Sequence, residues 1–311
     1  MIYTVRHRTT YRYESEVTFA RCVLRLTPQS SSTQTVLESR LAVMPDPSRS
    51  FERVGPFGEI TRTVVIETRH RALVIEAQSR VDVHAPPGRL DFGAPWESVR
   101  ARCLETADLS PAGPASFIYP SVRAPLAGEI TEYARESFPR GRGVVEAATE
   151  LMQRIRTDFT YDPKATDVRT SPVESFTTRR GVCQDFAHVM ICGLRGLGLP
   201  ARYVSGYLRT YPPPGRPRLA GADATHAWIS LWCGEASGWI SFDPTNALLV
   251  QDDHVVLAAG RDYSDVAPID GIILAPGKQT LKVEVDVTPE DELRLLRPAF
   301  GGRPGGLGAS A

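Results

Sequence analysis

The sequence has 311 residues, 42% of them hydrophobic and 23% charged, with 36 Lys+Arg against 36 Asp+Glu and no net charge. Such a length predicts one large or two medium domains of ordinary globular composition. The charge balance argues against a nucleic-acid partner or a polybasic membrane surface, and no apolar run approaches the ~20 residues of a membrane span.

The N-terminal Met1-Ile2-Tyr3-Thr4-Val5-Arg6-His7 lacks the basic-then-apolar order of a signal peptide, so a cytoplasmic protein is expected. Five cysteines (22, 103, 183, 192 and 233) are scattered without a C-x-x-C pair, which supports neither a disulfide framework nor a structural zinc site. A reducing compartment also suits a working thiolate.

Residues 1–87 read as an antiparallel β domain. Strand candidates are Arg21–Leu26, Leu41–Met44, Thr61–Thr68, and a long alternating strand with Leu73, Ile75, Ala77, Val81 and Val83 on one face. Turn signals at Pro45-Asp46-Pro47 and Gly55-Pro56-Phe57-Gly58 separate them, and Pro86-Pro87-Gly88 marks the domain edge. His7, His70 and His84 read as surface or packing side chains. Residues 88–125, with five prolines, read as a connecting segment with little regular structure.

From residue 126 the period changes to that of helices. Ile130, Tyr133, Ala134 and Phe138 form a short amphipathic face, and Val144, Val145, Ala148, Leu151, Met152 and Ile155 a stronger one. Ser171-Pro172-Val173-Glu174 is a helix start, with Ser as N-cap, Pro at N1 and Glu at N3. In Gly181-Val182-Cys183-Gln184-Asp185-Phe186-Ala187-His188 a further helix begins at the cysteine. Phe186, Val189, Met190, Gly193, Leu194 and Leu197 form its buried stripe, and Gly198 and Pro200 end it. Cys183 thus lies at a helix N-terminus, where free N–H groups and the helix dipole stabilise a thiolate. Taken alone, a cysteine there reads more readily as buried filler than as a nucleophile.

Ala201–Leu208 reads as a strand, and the Pro-rich Tyr211–Arg218 as a loop at the cleft rim. Asp223–Cys233 alternates as a strand, Gly234–Gly238 turns, and Trp239–Asn246 returns, giving a hairpin with His226 on one arm and Asp243 on the other. Cross-strand or diagonal neighbours at these two positions, facing a helix-borne cysteine, make a nucleophile–base–orienter set. Asp252, Asp253 and His254 read as a solvated loop in preference to a metal site. Leu281, Val283, Val285 and Val287 alternate as a last strand.

The blocks Gly181–His188, Pro200–Tyr207, Thr225-His226-Ala227-Trp228 and Phe242-Asp243-Pro244-Thr245-Asn246 resemble the bacterial branch of the transglutaminase-like superfamily. The resemblance implies an α+β architecture: the N-terminal antiparallel β domain is followed by a papain/transglutaminase-like core, in which a helix carrying Cys packs on a sheet carrying His and Asp. The expected organisation is 1–87 β domain, 88–125 connecting segment, 126–290 catalytic domain and 291–311 flexible tail. It implies Cys183 as nucleophile, His226 as base and Asp243 as orienting carboxylate. It also brings Tyr161 forward as an oxyanion donor, in place of an upstream aromatic of the animal enzymes, against a plain packing role. Gln184 is an oxyanion candidate by chemistry, although the corresponding Gln of papain precedes the cysteine.

His188 competes with His226 on residue type alone. Five residues turn a helix by about 500°, some 140° net, so its side chain and that of Cys183 diverge, and a structural or supporting role is expected. Asp185 reads as a cap, and Cys192 and Cys233 as core. The expected activity is Cys-dependent cleavage or acyl transfer at an amide bond of a protein or peptide substrate, through a thioester and with no cofactor or metal. The alternatives are a non-catalytic papain-like scaffold or binding module, and a metal protein using Cys183, His188 and His226. The sequence does not fix the oligomeric state.

Overall fold

The computed structural model of the protein describes residues 1–85, 93–211, 221 and 224–292. The expected domain edge at Pro86-Pro87-Gly88, the Pro-rich rim after Tyr211 and the tail beyond 292 therefore lie outside the described residues.

Two four-stranded antiparallel sheets make a sandwich from the N-terminal region. One has the order β15 (Gln279–Pro289), β1 (Ile2–Val17), β6 (His70–Val83), β3 (Gln34–Met44), and the other β14 (Ile269–Leu274), β2 (Phe19–Thr27), β5 (Ile60–Ile66), β4 (Arg49–Val54). Alternation drives the burial: Leu73, Ile75, Ala77, Val81 and Val83 of β6 point inward, against Tyr3 and Val5 of β1 and Leu24 and Leu26 of β2. Strand β1 keeps the same alternation but places His7 and Thr9 at inward positions, where His7 hydrogen-bonds Thr9 Oγ1 and Tyr207 Oη, each at 2.9 Å.

The expected 126–290 unit is corrected at its end. Strands β14 and β15 pair with β2 and β1, so the last two strands complete the N-terminal sandwich. Alternation identifies a strand, but its neighbour is set by residues more than 200 positions earlier. The segment 88–125 also holds more structure than its prolines suggest: α1 (Trp96–Glu105) and a short 3-10 turn (Ala115–Phe117). Trp96, Val99 and Cys103 turn one face of α1 into the second core.

That core surrounds α5 (Cys183–Gly196), which is buried from Gln184 to Arg195. Helices α2 (Gly128–Arg135), α3 (Val144–Asp158) and α4 (Pro172–Thr178) lie on one side of it. On the other is an antiparallel sheet ordered β12 (Leu248–Leu249), β11 (Trp239–Asp243), β10 (Ala224–Trp232), β9 (Ala201–Leu208), β13 (His254–Gly260). Ser171 caps α4 as its sequence indicates, accepting from Glu174 N at 3.2 Å. Arg195 enters this core as a buried cation, donating to the carbonyls of Phe117, Ala201 and Arg261 and to Ser121 Oγ. These bonds clip the 3-10 turn and the start of β9 to the cysteine helix, and burial lowers the guanidinium to about 10. A short helix, α6 (Tyr263–Val266), follows β13. No described helix is long and apolar enough to cross a membrane.

Candidate active site

The cysteine is delivered by a tight crossover. Strand β7 (Thr160–Tyr161) pairs in parallel with β8 (Arg180–Gly181), just before α5. A Cβ at Gly181 would meet Asp185 Oδ2 at 2.6 Å, so only glycine lets Asp185 fold back there. Asp185 Oδ2 accepts from Val182 N at 2.8 Å and Thr166 Oγ1 at 2.7 Å, which caps the first turn. Burial raises the Asp185 carboxyl in spite of those two bonds. Cys183 is the first residue of α5 and, of the five free cysteines, the one that is not buried.

His226 pairs with Gly206 of β9, and β10 pairs with β11 from Trp232↔Trp239 to Ile229↔Phe242. Asp243, the next residue, therefore sits diagonally from His226. Gly206 is required by the packing: a Cβ there would lie 2.1 Å from Val255 O and 2.5 Å from the Trp228 ring. His226 Nε2 donates to Asp243 Oδ2 at 2.8 Å, which leaves Nδ1 as the ring nitrogen for the Cys183 sulfur. Burial alone would lower the imidazole, but its hydrogen bond to Asp243 and the charges of Asp243 and Cys183 raise it to about 10.

Asp243 is 0% exposed and yet held as a carboxylate. Burial acts to raise its carboxyl, and the donors of His226, His254 and Asn246 together with the His226 charge push it well below the usual range. Oδ2 accepts from His226, from Asn246 Nδ2 at 2.7 Å and from His254 Nε2 at 3.3 Å; Oδ1 accepts from the N–H groups of Thr245 at 3.0 Å and Asn246 at 3.2 Å.

His254 is a correction to the sequence reading. In place of a solvated loop it opens β13 and is 3% exposed. Its neighbours explain this: Val255 and Leu257 enter the sandwich core, which draws the strand inward. Asp253 lies at the edge and accepts from Tyr3 Oη and Tyr211 Oη, each at 3.0 Å. The ligand atoms of His226, Asp243 and His254 lie within 4.8 Å of one another. Two imidazoles and a carboxylate are transition-metal donors. Here, however, both Nε2 atoms are already turned onto the carboxylate, and His254 Nδ1 lacks the outer partner that metal-binding histidines carry.

Tyr161 stands opposite Gly181, about half exposed, with its ring 6.4 Å from that of Phe186. Burial and then the Cys183 charge raise its phenol. Gln184 is buried on the first turn of α5. His188 is turned elsewhere: its Nε2 accepts from Tyr263 N at 3.3 Å and its ring packs 4.9 Å from that of Tyr203. The trio Cys183, His188 and His226 is therefore not gathered into a metal site.

Burial pushes the His188 imidazole down to about 4, so the folded protein keeps it neutral where the unfolded chain, near 6.5, takes up a proton. The stability it contributes is complete above pH 6.5 and is lost as pH falls toward 4. Urea unfolding of His188→Phe should lose about 2 kcal/mol less than the parent between pH 7 and 4.5. Equal losses would show that the ring is already charged in the fold.

Residues 3–82 match the family described as the bacterial transglutaminase-like N-terminal region, and residues 126–244 the transglutaminase-like superfamily. An uncharacterized protein of Mycobacterium tuberculosis is 41% identical over 303 residues, 92% of each chain. A protein-glutamine gamma-glutamyltransferase of Pseudomonas aeruginosa is 30% identical over 150 residues, 47% of this chain and 22% of that one. The crystal structure of a Cytophaga hutchinsonii protein, classed provisionally as a cysteine protease, superposes with a TM-score of 0.68 at 22% identity, covering 93% of this chain and 91% of that one. This last likeness establishes the shared fold.

Proposed function

We infer the chemistry from a premise that the matches establish: the chain belongs to the transglutaminase-like superfamily and carries its bacterial N-terminal region. On that premise the protein is a cysteine-dependent enzyme that cleaves or transfers an acyl group at an amide carbonyl of a protein or peptide. The observation that carries this reading is His226 donating to the buried Asp243 carboxylate at 2.8 Å, with Cys183 at the N-terminus of α5 near enough for its charge to act on the imidazole.

In the proposed reaction the Cys183 thiol gives its proton to His226 Nδ1, and the thiolate attacks the carbonyl carbon. The Cys183 backbone N–H and the Tyr161 hydroxyl are the donors assigned to the oxyanion. Collapse breaks the C–N bond, His226 returns the proton to the leaving amine, and a thioester remains. Water attacking the thioester completes hydrolysis; a second amine completes transfer. Asp243 keeps the proton on Nε2 and stabilises the imidazolium. Five free cysteines suit a reducing compartment, and we assign the protein to the cytoplasm on that ground.

Incubation with a glutamine-bearing protein and a fluorescent primary amine separates the two outcomes. Label incorporated into protein reports transfer; new N-termini or released ammonia without label report hydrolysis. Absence of all three across a panel of protein and peptide substrates, with Cys183 unmodified, would contradict the reading.

A further inference from the structure

We infer that His254 is a positioning residue for Asp243 and that the N-terminal sandwich holds it in place. This rests on the Cys183–His226–Asp243 reading proposed above. The groups facing the His254 ring are the Asp243 carboxylate, the His226 imidazole with centroids 5.9 Å apart, and the Trp228 indole at 5.0 Å.

Its tautomer follows from the surroundings. His254 Nδ1 is buried without a hydrogen-bond partner. A proton there would be a buried N–H with nothing to bond, which is costly. The proton therefore sits on Nε2 and is donated to Asp243 Oδ2 at 3.3 Å.

What His254 adds is an anchor outside the hairpin. Thr245 and Asn246 bind Asp243 from its own turn and move with it. Among the described residues, His254 is the donor, other than His226, that reaches the carboxylate from a separate strand. That strand is fixed from the N-terminal side. The Gln34 amide bonds both backbone groups of Val256, each at 2.8 Å, in the manner of a neighbouring strand. Tyr3 Oη donates to Asp253, and Val255 and Leu257 pack into the sandwich core. The N-terminal unit thus sets the height of His254, and His254 sets the orientation of Asp243 toward His226.

The test is the rate of Cys183 alkylation by iodoacetamide against pH in the full-length protein. A well-placed Asp243 stabilises the His226 imidazolium, and the imidazolium stabilises the thiolate. Loosening the carboxylate therefore moves the acid limb of the profile to higher pH. His254→Phe keeps an aromatic ring but no donor; on that limb it should react about fivefold more slowly, the worth of one ordinary hydrogen bond. His254→Gln places an N–H close to the Nε2 position and should restore the parent profile. Gln34→Leu, remote from the sulfur, should move the limb the same way by a smaller amount, and it carries the test if His254→Phe does not fold. A folded His254→Phe with the parent profile, or an unmoved limb in Gln34→Leu, would overturn the inference. If Cys183 of the parent protein has no such limb, it is the acyl-transfer reading that fails.

Discussion

Cys183→Ala folds and has no turnover. The loss expected is about 10⁵-fold or more, the scale on which removal of a triad nucleophile acts. The substitution removes one sulfur from a partly exposed position at the start of α5, so the packing from Gln184 to Arg195 is untouched. Melting should shift by no more than a few degrees. The other cysteines cannot substitute. Burial raises the thiol of Cys22 to about 11 and those of Cys103 and Cys192 to about 12, and it raises Cys233 as well. Steady-state assay and a thermal melt of the same preparation check both halves; full activity in the variant would remove Cys183 from the chemistry.

Asp243→Asn comes next in size, with a loss on the order of 10³- to 10⁴-fold in kcat. The reason is the donor count. Every neighbour hydrogen-bonded to Asp243 is a donor, three on Oδ2 and two on Oδ1. An amide in either orientation turns an NH₂ group toward one of these sets. If it faces His226, Nε2 must become the acceptor, the proton moves to Nδ1, and Nδ1 can no longer take the thiol proton. If it faces the turn, the N–H groups of Thr245 and Asn246 lose their acceptor. The pH profile separates this mechanism from simple unfolding. With the carboxylate, His226 stays protonated up to about 10, so activity that depends on the imidazolium is retained below that pH and lost above it. Without it, the alkaline limb should fall toward the 6.5 of free imidazole. An unchanged limb would mean that Asp243 does not hold the His226 proton.

Much of the site can be read from the sequence because it is local. The stripe from Phe186 to Leu197 announces α5, and Gly234–Gly238 between two alternating runs announces the hairpin that carries His226 and Asp243. What escapes the sequence is non-local pairing. The strand holding Val285 and Val287 is evident, but its partner β1 is not, because β1 puts His7 and Thr9 at inward positions and so blurs its own alternation. His254 follows two aspartates, which reads as solvent, and only Val255 and Leu257 after it hint at a buried strand. Arg195 sits inside an apolar helix pattern, and its partners come from three separate parts of the chain: the Phe117–Ser121 stretch, Ala201 and Arg261. A signal of that kind appears only once the elements have been assembled.

The central claim is that Cys183 is activated by His226. The most direct measurement is the alkylation rate of each of the five cysteines against pH, mapped by peptide mass spectrometry, in the parent protein and in His226→Ala. The expected result is that Cys183 alone reacts fast where the other four do not, and that His226→Ala removes this advantage. Cys183 reacting no faster than Cys22, Cys103, Cys192 and Cys233, or reacting equally fast without His226, would contradict it.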